Sequence, residues 1–297
     1  MSEKFSSFER VIGTPDEDEK EQILDERKSA FDANKARELK EHEVQKTPEE
    51  IAVISLANEA TNTIRRKFRL PDFNIPPENI AIIQREYWDW KKDGNSSFYP
   101  SEQLIATSYR GPTLTFARLM FHEMIHFKSF GSLKIMKGGR ETTEDRVGLH
   151  TRIRGGKEYF RSLNEATIEE LADRFIADLI SQRGLLFREE IENLEQGVET
   201  EEDLEEYYDE LRLVQPNFAY EEQRDILDRL IDKLYSQNKE NFKSRDEIFD
   251  VFVKSMFSNN LLEVGKLIDR SFGKGTFRKI GKLETNPDKQ YRFISDL

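Results

Sequence analysis

The most constraining feature of this sequence is a pair of histidines four residues apart inside an apolar segment. Residues Leu114 to Phe130 are apolar on several faces and end at Gly131, which predicts a largely buried helix. Within that segment, His122, Glu123 and His126 form the pattern His-Glu-x-x-His. Helical residues four apart face the same side, so both imidazoles can reach one cation while Glu123 lies one step round the helix. Because two histidines and a glutamate are costly to bury without a partner, we expect a metal site.

The composition restricts the remaining ligands of that metal. The 297 residues include no Cys and four His, so a metal must be held by His and carboxylates. Zinc sites that perform hydrolysis use three protein ligands and leave a fourth position to water. The metzincin pattern is excluded, because Ser129 and Ser132 occupy the positions where that pattern requires Gly and His. His150 is the only downstream histidine, and it lies in a predicted strand that could present it on either face.

A second acidic pattern opens the next strongly predicted helix, Asn164 to Ser181. HExxH on one helix, followed by Asn-Glu-x-x-x-acid on another, resembles the gluzincins, the thermolysin-like and lethal-factor-like metallopeptidases. This resemblance, which covers about Gln103 to Ser181, implies that Glu165 is the third ligand and that Glu169 orients a ligating histidine. In an alternative frame the run from Glu169 to Asp173 resembles the Glu-x-x-Ala-Asp of membrane gluzincins. That frame makes Glu169 the ligand and Asp173 its support.

The resemblance implies one zinc ion per chain, held by His122, His126 and Glu165, and the hydrolysis of a polypeptide substrate. Zinc lowers the pKa of its water toward about 7 and polarises the scissile carbonyl. Glu123 would take the proton from that water and pass it to the leaving amine. A first rival is a metal-stabilised, gluzincin-like binding protein without catalysis, which the presence of Glu123 disfavours. A second rival is a helical interaction module with an accidental HExxH.

The expected fold class is α+β, with a zincin-like core, a small mixed or antiparallel sheet, the active-site helix and additional C-terminal helices. Two β-rich runs, Ile80 to Arg85 and Gln103 to Tyr109, are expected to pair in one sheet. The second run stands where zincins place an edge strand that pairs with extended peptide. Three further β pieces, the last two joined as a hairpin by Gly155 and Gly156, are expected at Leu133 to Met136, Arg146 to Ile153 and Tyr159 to Arg161. The C-terminal helices are expected at Tyr220 to Leu234, Arg245 to Phe257 and Leu261 to Phe272.

Four segments are expected along the chain. Residues 1–46 form a charged tail that is disordered or loosely helical, and residues 47–185 form the catalytic domain. Folded structure is expected to begin at Thr47, where Thr-Pro-Glu-Glu predicts the start of a helix that reaches about Arg69. Residues 186–212 form an acidic linker or exposed helix, because Glu189 to Glu210 holds 12 acidic residues and no Lys or Arg. Residues 213–297 form a C-terminal helical region.

The charge balance and hydropathy limit the partners. A net charge of −12 is the wrong sign for general binding to nucleic acid or to anionic membranes, so neither partner is expected. The longest apolar-leaning run, Ile51 to Ala57, is far short of the roughly 20 residues that span a bilayer, and Met1 to Val11 lacks the apolar stretch of a signal peptide. We therefore expect a cytoplasmic protein.

Overall fold

The structure is a computed structural model of the full chain. The residues it describes are 7–14, 16–33, 37–89, 91, 94–100, 102–111, 113–135, 142–153, 156–182, 185–197, 221–284 and 286–297. Within them the strands are β1 (Arg10–Ile12), β2 (Ile80–Ile82), β3 (Ser96–Tyr99), β4 (Leu104–Thr107), β5 (Gly131–Ile135), β6 (Thr142–Val147), β7 (His150–Ile153) and β8 (Lys157–Tyr159). The helices are α1 (Glu17–Ala33), α2 (Arg37–Lys40), α3 (Pro48–Lys67), α4 (Leu114–Lys128), α5 (Arg161–Ser181), α6 (Arg188–Gly197), α7 (Glu221–Gln237), α8 (Arg245–Phe257), α9 (Leu261–Phe272), α10 (Thr276–Lys282) and α11 (Pro287–Ser295).

The described residues form helices and two small β-sheets. This is the mixed α+β content that the sequence predicts. The zincin-like core stays a prediction. The chain divides into two compact units. The first contains residues 27–128 and 171–219, and the second contains residues 7–26, 129–170 and 220–297. Helices α1 and α5 each begin in the second unit and end in the first.

The first unit is built on the three-stranded sheet and the helices α3 and α4. The predicted start of α3 is confirmed, because Thr47 caps the helix and exchanges hydrogen bonds with Glu50 in a capping box. An apolar cluster on the sheet contains Ala81, Ile83, Trp88, Leu104 and Ala106. Arg65 of α3 donates from Nη1 to the carbonyl of Lys128 at 2.7 Å, which ties α3 to the end of α4.

The order of this sheet corrects one expectation about substrate binding. The predicted pairing of the two β-rich runs is confirmed, since β2 and β4 are parallel neighbours. However, β3 pairs antiparallel with β4 on its other side, so the order is β2-β4-β3. The expectation that Gln103 to Tyr109 is an edge strand for peptide is therefore wrong, because the backbone of β4 is already paired on both sides. The two edge positions belong to β2 and to β3, and β3 is a strand that the sequence did not predict.

The second unit holds the five-stranded sheet, in the order β1-β5-β6-β7-β8, with β1 parallel to β5 and the other pairs antiparallel. The expected single run from Arg146 to Ile153 is divided by a turn at Gly148, where φ is +60°. The predicted hairpin that follows is confirmed as the pair β7–β8, but its second strand spans Lys157–Tyr159 and not Tyr159 to Arg161, because Arg161 begins α5; Gly155 of the predicted turn lies outside the described residues. The expectation that folded structure begins at Thr47 is wrong, since Phe8 and Val11 are buried in a cluster with Ile23 and Leu133.

The C-terminal helices agree closely with the sequence. Helices α8 and α9 have the predicted bounds. Helix α7 spans Glu221–Gln237, and Tyr220, the predicted first residue, lies outside the described residues. Helices α10 and α11 were not predicted. Of the acidic segment 186–212, the structure describes residues up to Gly197, which form α6 and the turn before it. No helix in the described part of the chain combines the length and the apolar character needed to cross a bilayer.

Candidate metal centre

Helix α4 carries the HExxH residues, and side-chain hydrogen bonds hold its first turn. At its start, Thr113 Oγ1 accepts from the Phe116 amide at 3.1 Å, and the carboxylate of Glu190 accepts from the Leu114 amide at 2.9 Å. Both groups satisfy amides that the first turn of a helix leaves without intrahelical partners. The predicted buried helix is confirmed, since most of its residues are inaccessible, whereas His122 and His126 are half-buried.

The two histidines converge on one point. Their Nε2 atoms lie 3.1 Å apart, and their ring centroids lie 4.9 Å apart. Two nitrogen ligands about 2.05 Å from a tetrahedral zinc ion would be separated by about 3.3 Å. The observed separation is close to that value. It also permits a hydrogen bond between two neutral imidazoles, in which the tautomers decide which nitrogen donates.

Glu165 supplies the third potential ligand. One donor atom from each of His122, His126 and Glu165 lies within 4.8 Å of the other two, and this is the one such group of three among the described residues. Glu165 is buried, with 8% of its surface exposed. The sequence named these three residues as the ligand set. His150 and Glu169, the alternatives, are outside the group.

Glu123 lies beside the histidines but has a different partner. Its side chain is buried, and Oε1 accepts a hydrogen bond from Ser96 Oγ at 2.8 Å. Ser96 begins β3, which is one of the two edge strands of the three-stranded sheet. Oε2 of Glu123 accepts no hydrogen bond from the described residues, so it can take a proton. Sequence reasoning missed Ser96, because its contact depends on a strand that was not predicted.

Two contacts within the first unit fix the second half of α5 against α4. Arg118 donates from Nη2 to Asp173 Oδ1 at 2.8 Å and from Nε to the same oxygen at 3.2 Å. The ring of Phe121 stacks on Phe175 with centroids 4.4 Å apart. A buried guanidinium–carboxylate pair is directional, so it sets the rotation of one helix against the other.

Three acidic residues recur at four-residue intervals along α5. Glu165, Glu169 and Asp173 follow one another at intervals of one helical turn and share one face. Arg118, the partner of Asp173, lies one turn before His122 on α4. Asp173, which the alternative frame makes the support of Glu169, is therefore paired with Arg118.

His150 lies elsewhere in the second unit, on β7. Its Nε2 is buried, is 3.6 Å from Glu158 Oε2 and makes no hydrogen bond with the described residues. Burial lowers the pKa of the imidazole, and the negative charges of Glu158 and, more weakly, Glu165 oppose that effect. The residue before it, Leu149, donates its amide to Asn164 Oδ1 at 2.8 Å. The asparagine of the Asn-Glu pattern therefore fixes the turn between β6 and β7.

A buried amine lies at the end of α4. Lys128 is 1% exposed, and its Nζ donates to Thr61 Oγ1 at 2.6 Å and to the carbonyl of Asn58 and Oδ1 of Asn62 at 3.1 Å. Burial, assisted by the positive charge of Arg65, lowers the pKa of Lys128 to about 6. Above that pH the neutral amine avoids the cost of burying a charge, and its two hydrogens are enough to donate to two of the three acceptors.

Comparison with known proteins gives no further assignment. No protein-family model matches this chain, and neither a curated protein nor a solved structure gives a match.

Proposed function

We propose that this protein is a zinc-dependent peptidase whose metal is held by His122, His126 and Glu165. The observation that carries the proposal is the 3.1 Å separation of the two histidine Nε2 atoms, with a carboxylate oxygen of Glu165 within 4.8 Å of a ring nitrogen of each histidine. Two imidazoles and one carboxylate form the ligand set of many hydrolytic zinc sites, which keep a fourth position for water or substrate.

The donor set is compatible with zinc for two further reasons. Glu165 and Glu123 are both buried, and a carboxylate loses solvation when it is buried, so a cation near them offsets part of that cost. Zinc bound there would polarise a substrate carbonyl and make a water ligand more acidic. The resemblance to gluzincins supports Glu165 as the ligand, and Glu165, rather than Glu169, has a carboxylate oxygen in the group of donor atoms that lie within 4.8 Å of one another.

Glu123 acts as the proton carrier in this proposal. Ser96 holds Oε1 of its carboxylate at 2.8 Å, which fixes the rotation of the side chain and leaves Oε2 for a proton. The surrounding helix residues Leu119, Met120 and Met124 are buried and apolar. Such surroundings exclude bulk water and strengthen the interactions of the carboxylate with charge that develops during hydrolysis.

The first experiment measures metal content. Purified wild-type protein, incubated with zinc and then desalted, is expected to contain close to one zinc ion per chain by elemental analysis. His126→Ala is expected to lose the metal, because it removes one of three ligands. His150→Ala is the matched control, since it removes a histidine outside the cluster, and it is expected to keep the metal. Zinc absent from the wild type, or lost equally from both variants, would refute the site.

The second experiment separates a peptidase from a metal-stabilised binding protein. A mixture of synthetic peptides of varied sequence is incubated with the zinc-loaded protein, and new termini are identified by mass spectrometry. Glu123→Gln is expected to keep zinc and to abolish cleavage, because the amide cannot accept the proton. Glu86→Gln, at an exposed site, is the control for the loss of one carboxylate. Zinc binding with no cleavage by the wild type would favour the binding protein.

A further inference from the structure

The C-terminal helices carry a charge opposite to that of the whole chain. Residues 266–292 contain eight Lys and Arg against three Asp and Glu, a net charge of +5, whereas the chain as a whole has −12. We call these eight cations the basic surface. They are Lys266, Arg270, Lys274, Arg278, Lys279, Lys282, Lys289 and Arg292.

All eight side chains of the basic surface are exposed. None of them makes an ion pair with another described residue. Surface cations in proteins are usually interspersed with anions, so a run of unpaired cations on consecutive helices is a departure from the ordinary pattern. Ion pairs within the described part of the chain therefore do not cancel the field of these charges.

The acidic residues of the same segment do not form ion pairs with the basic surface, because two of the three hydrogen-bond to backbone amides instead. Asp269 turns both carboxylate oxygens onto the start of α10, where they accept from the amides of Gly275 at 3.0 Å and Phe277 at 2.9 Å. Glu284 is directed inward and accepts from the Ser162 amide at 2.6 Å. Of the three acids, only Asp288 is exposed. The carboxylates thus serve the fold, while the cations face solvent.

The cations lie on three consecutive helices that contact one another. Lys266 and Arg270 are one turn apart on α9, as are Arg278 and Lys282 on α10, so each pair lies on one helix face. Helix α9 packs closely on α10 at Gly265, where a Cβ atom would come within 2.9 Å of the Phe277 ring. Helix α10 meets α11 through Lys279, whose Nζ lies 3.9 Å from the centre of the Phe293 ring.

We propose that the basic surface binds an acidic segment of another polypeptide. Carboxylates are the anions that Lys and Arg pair with singly or bidentately, and a flexible acidic segment can place successive side chains against successive cations. Helix α9, with 12 residues, is about 18 Å long, and about six extended residues cover that distance. A short run of Asp and Glu is therefore enough to occupy the surface.

Two other anionic partners fit the surface less well. Single-stranded nucleic acid binds largely by stacking of bases on aromatic side chains, and none of the aromatic residues in 261–297 is more than partly exposed. Helices that lie in a membrane interface present a wide apolar face to the lipid, but Val264 and Ile268 of α9 are buried. Leu262 is the one large apolar side chain described as strongly exposed on these helices.

Fluorescence anisotropy with a labelled peptide of twelve glutamates tests this proposal. We expect the full-length protein to bind the peptide at about 50 mM salt, and the affinity to fall at about 500 mM salt as the charges are screened. Arg278→Glu with Lys282→Glu is expected to weaken binding about 10-fold or more. The control is Lys67→Glu with Arg85→Glu, an equal change of net charge at exposed sites of the other unit, and it is expected to leave binding unchanged.

Thermal unfolding of each variant checks that it is folded, and Arg278→Gln with Lys282→Gln gives a milder change at the same positions. Absence of peptide binding, or an equal loss in both Glu double variants, would overturn the proposal. Tighter binding of a twelve-nucleotide deoxyadenylate, or of phosphatidylserine vesicles, than of the peptide would also overturn it. The assay measures binding alone, so its result does not depend on whether the chain is a peptidase.

Discussion

Replacing Arg146 by methionine should destabilise the second unit more than any surface change. The guanidinium of Arg146 is buried and donates to three backbone carbonyls, those of Gly148 at 2.6 Å, Ser255 at 2.5 Å and Ser258 at 3.0 Å. The last two belong to the end of α8, where helix carbonyls have no intrahelical partner. Burial lowers its pKa to about 10, so the group is still charged at pH 7.

The size of the effect follows from these contacts. A hydrogen bond from a charged group contributes about 1.5–3 kcal/mol, and the variant removes three of them while relieving the desolvation of one cation. Removing one partner of a buried charged interaction costs about 3–5 kcal/mol, which we take as the net loss for Arg146→Met. For a domain of this size, each kcal/mol lowers Tm by about 2–4 °C, so we expect a decrease of about 10 °C.

Urea and thermal unfolding, followed by circular dichroism, would measure this loss. The matched control is Arg152→Met on β7, which removes an exposed arginine paired with Glu144 at 3.3 Å and Glu158 at 3.0 Å. Exposed pairs contribute about 0–1 kcal/mol, so Tm should fall by no more than about 3 °C. Equal decreases in the two variants would refute the reasoning, because they would show that the three buried hydrogen bonds add nothing beyond a surface pair.

Three further predictions concern α4 and its neighbours. In metal-free protein the free energy of unfolding should rise between about pH 6 and pH 10, by up to about 1.4 kcal/mol per unit, because unfolded Lys128 binds a proton that the folded chain does not. Lys128→Met should flatten that rise in urea titrations at several pH values, and an unchanged slope would exclude Lys128 as its source. Ser96→Ala should leave zinc content unchanged and reduce kcat about 10-fold or more, since Glu123 loses the hydrogen bond that orients it; a loss of zinc instead would show that Ser96 supports the metal. Glu165→Ala should abolish zinc binding and Glu169→Ala should only weaken it, and the reverse order in zinc titrations would support the alternative frame.

Local signals in the sequence predicted several of the helices, among them α3, α4, α8 and α9. The start of α3 follows from Thr47 and Glu50, which are close enough in the chain to cap each other. The grouping of His122 and His126 follows in the same way, because helix geometry alone brings residues four apart together. In each case the interaction is decided within one or two turns.

Interactions between distant parts of the chain were predicted less well. Strand β3 is defined by its pairing with β4, and its sequence Ser-Ser-Phe-Tyr has no clear alternation. Ser96 consequently went unnoticed as a partner of Glu123, which is 27 residues away. Strand β1 has three residues, and its pairing with β5 joins segments more than 120 residues apart. Only the assembled sheets reveal these contacts.

The parallel pairing of β1 with β5 has a practical consequence for shortened forms of the chain. A protein trimmed to begin at Thr47 would keep every candidate metal ligand but would lose Phe8 and Val11 from their apolar cluster. It would also expose the backbone of β5. In the full chain, Gly131 of β5 lies so close to Ser7 that a Cβ atom on residue 131 would be 2.4 Å from the Ser7 carbonyl oxygen. An uncovered strand edge beside an apolar patch invites pairing between molecules, so such a protein should aggregate and could be mistaken for an inactive one.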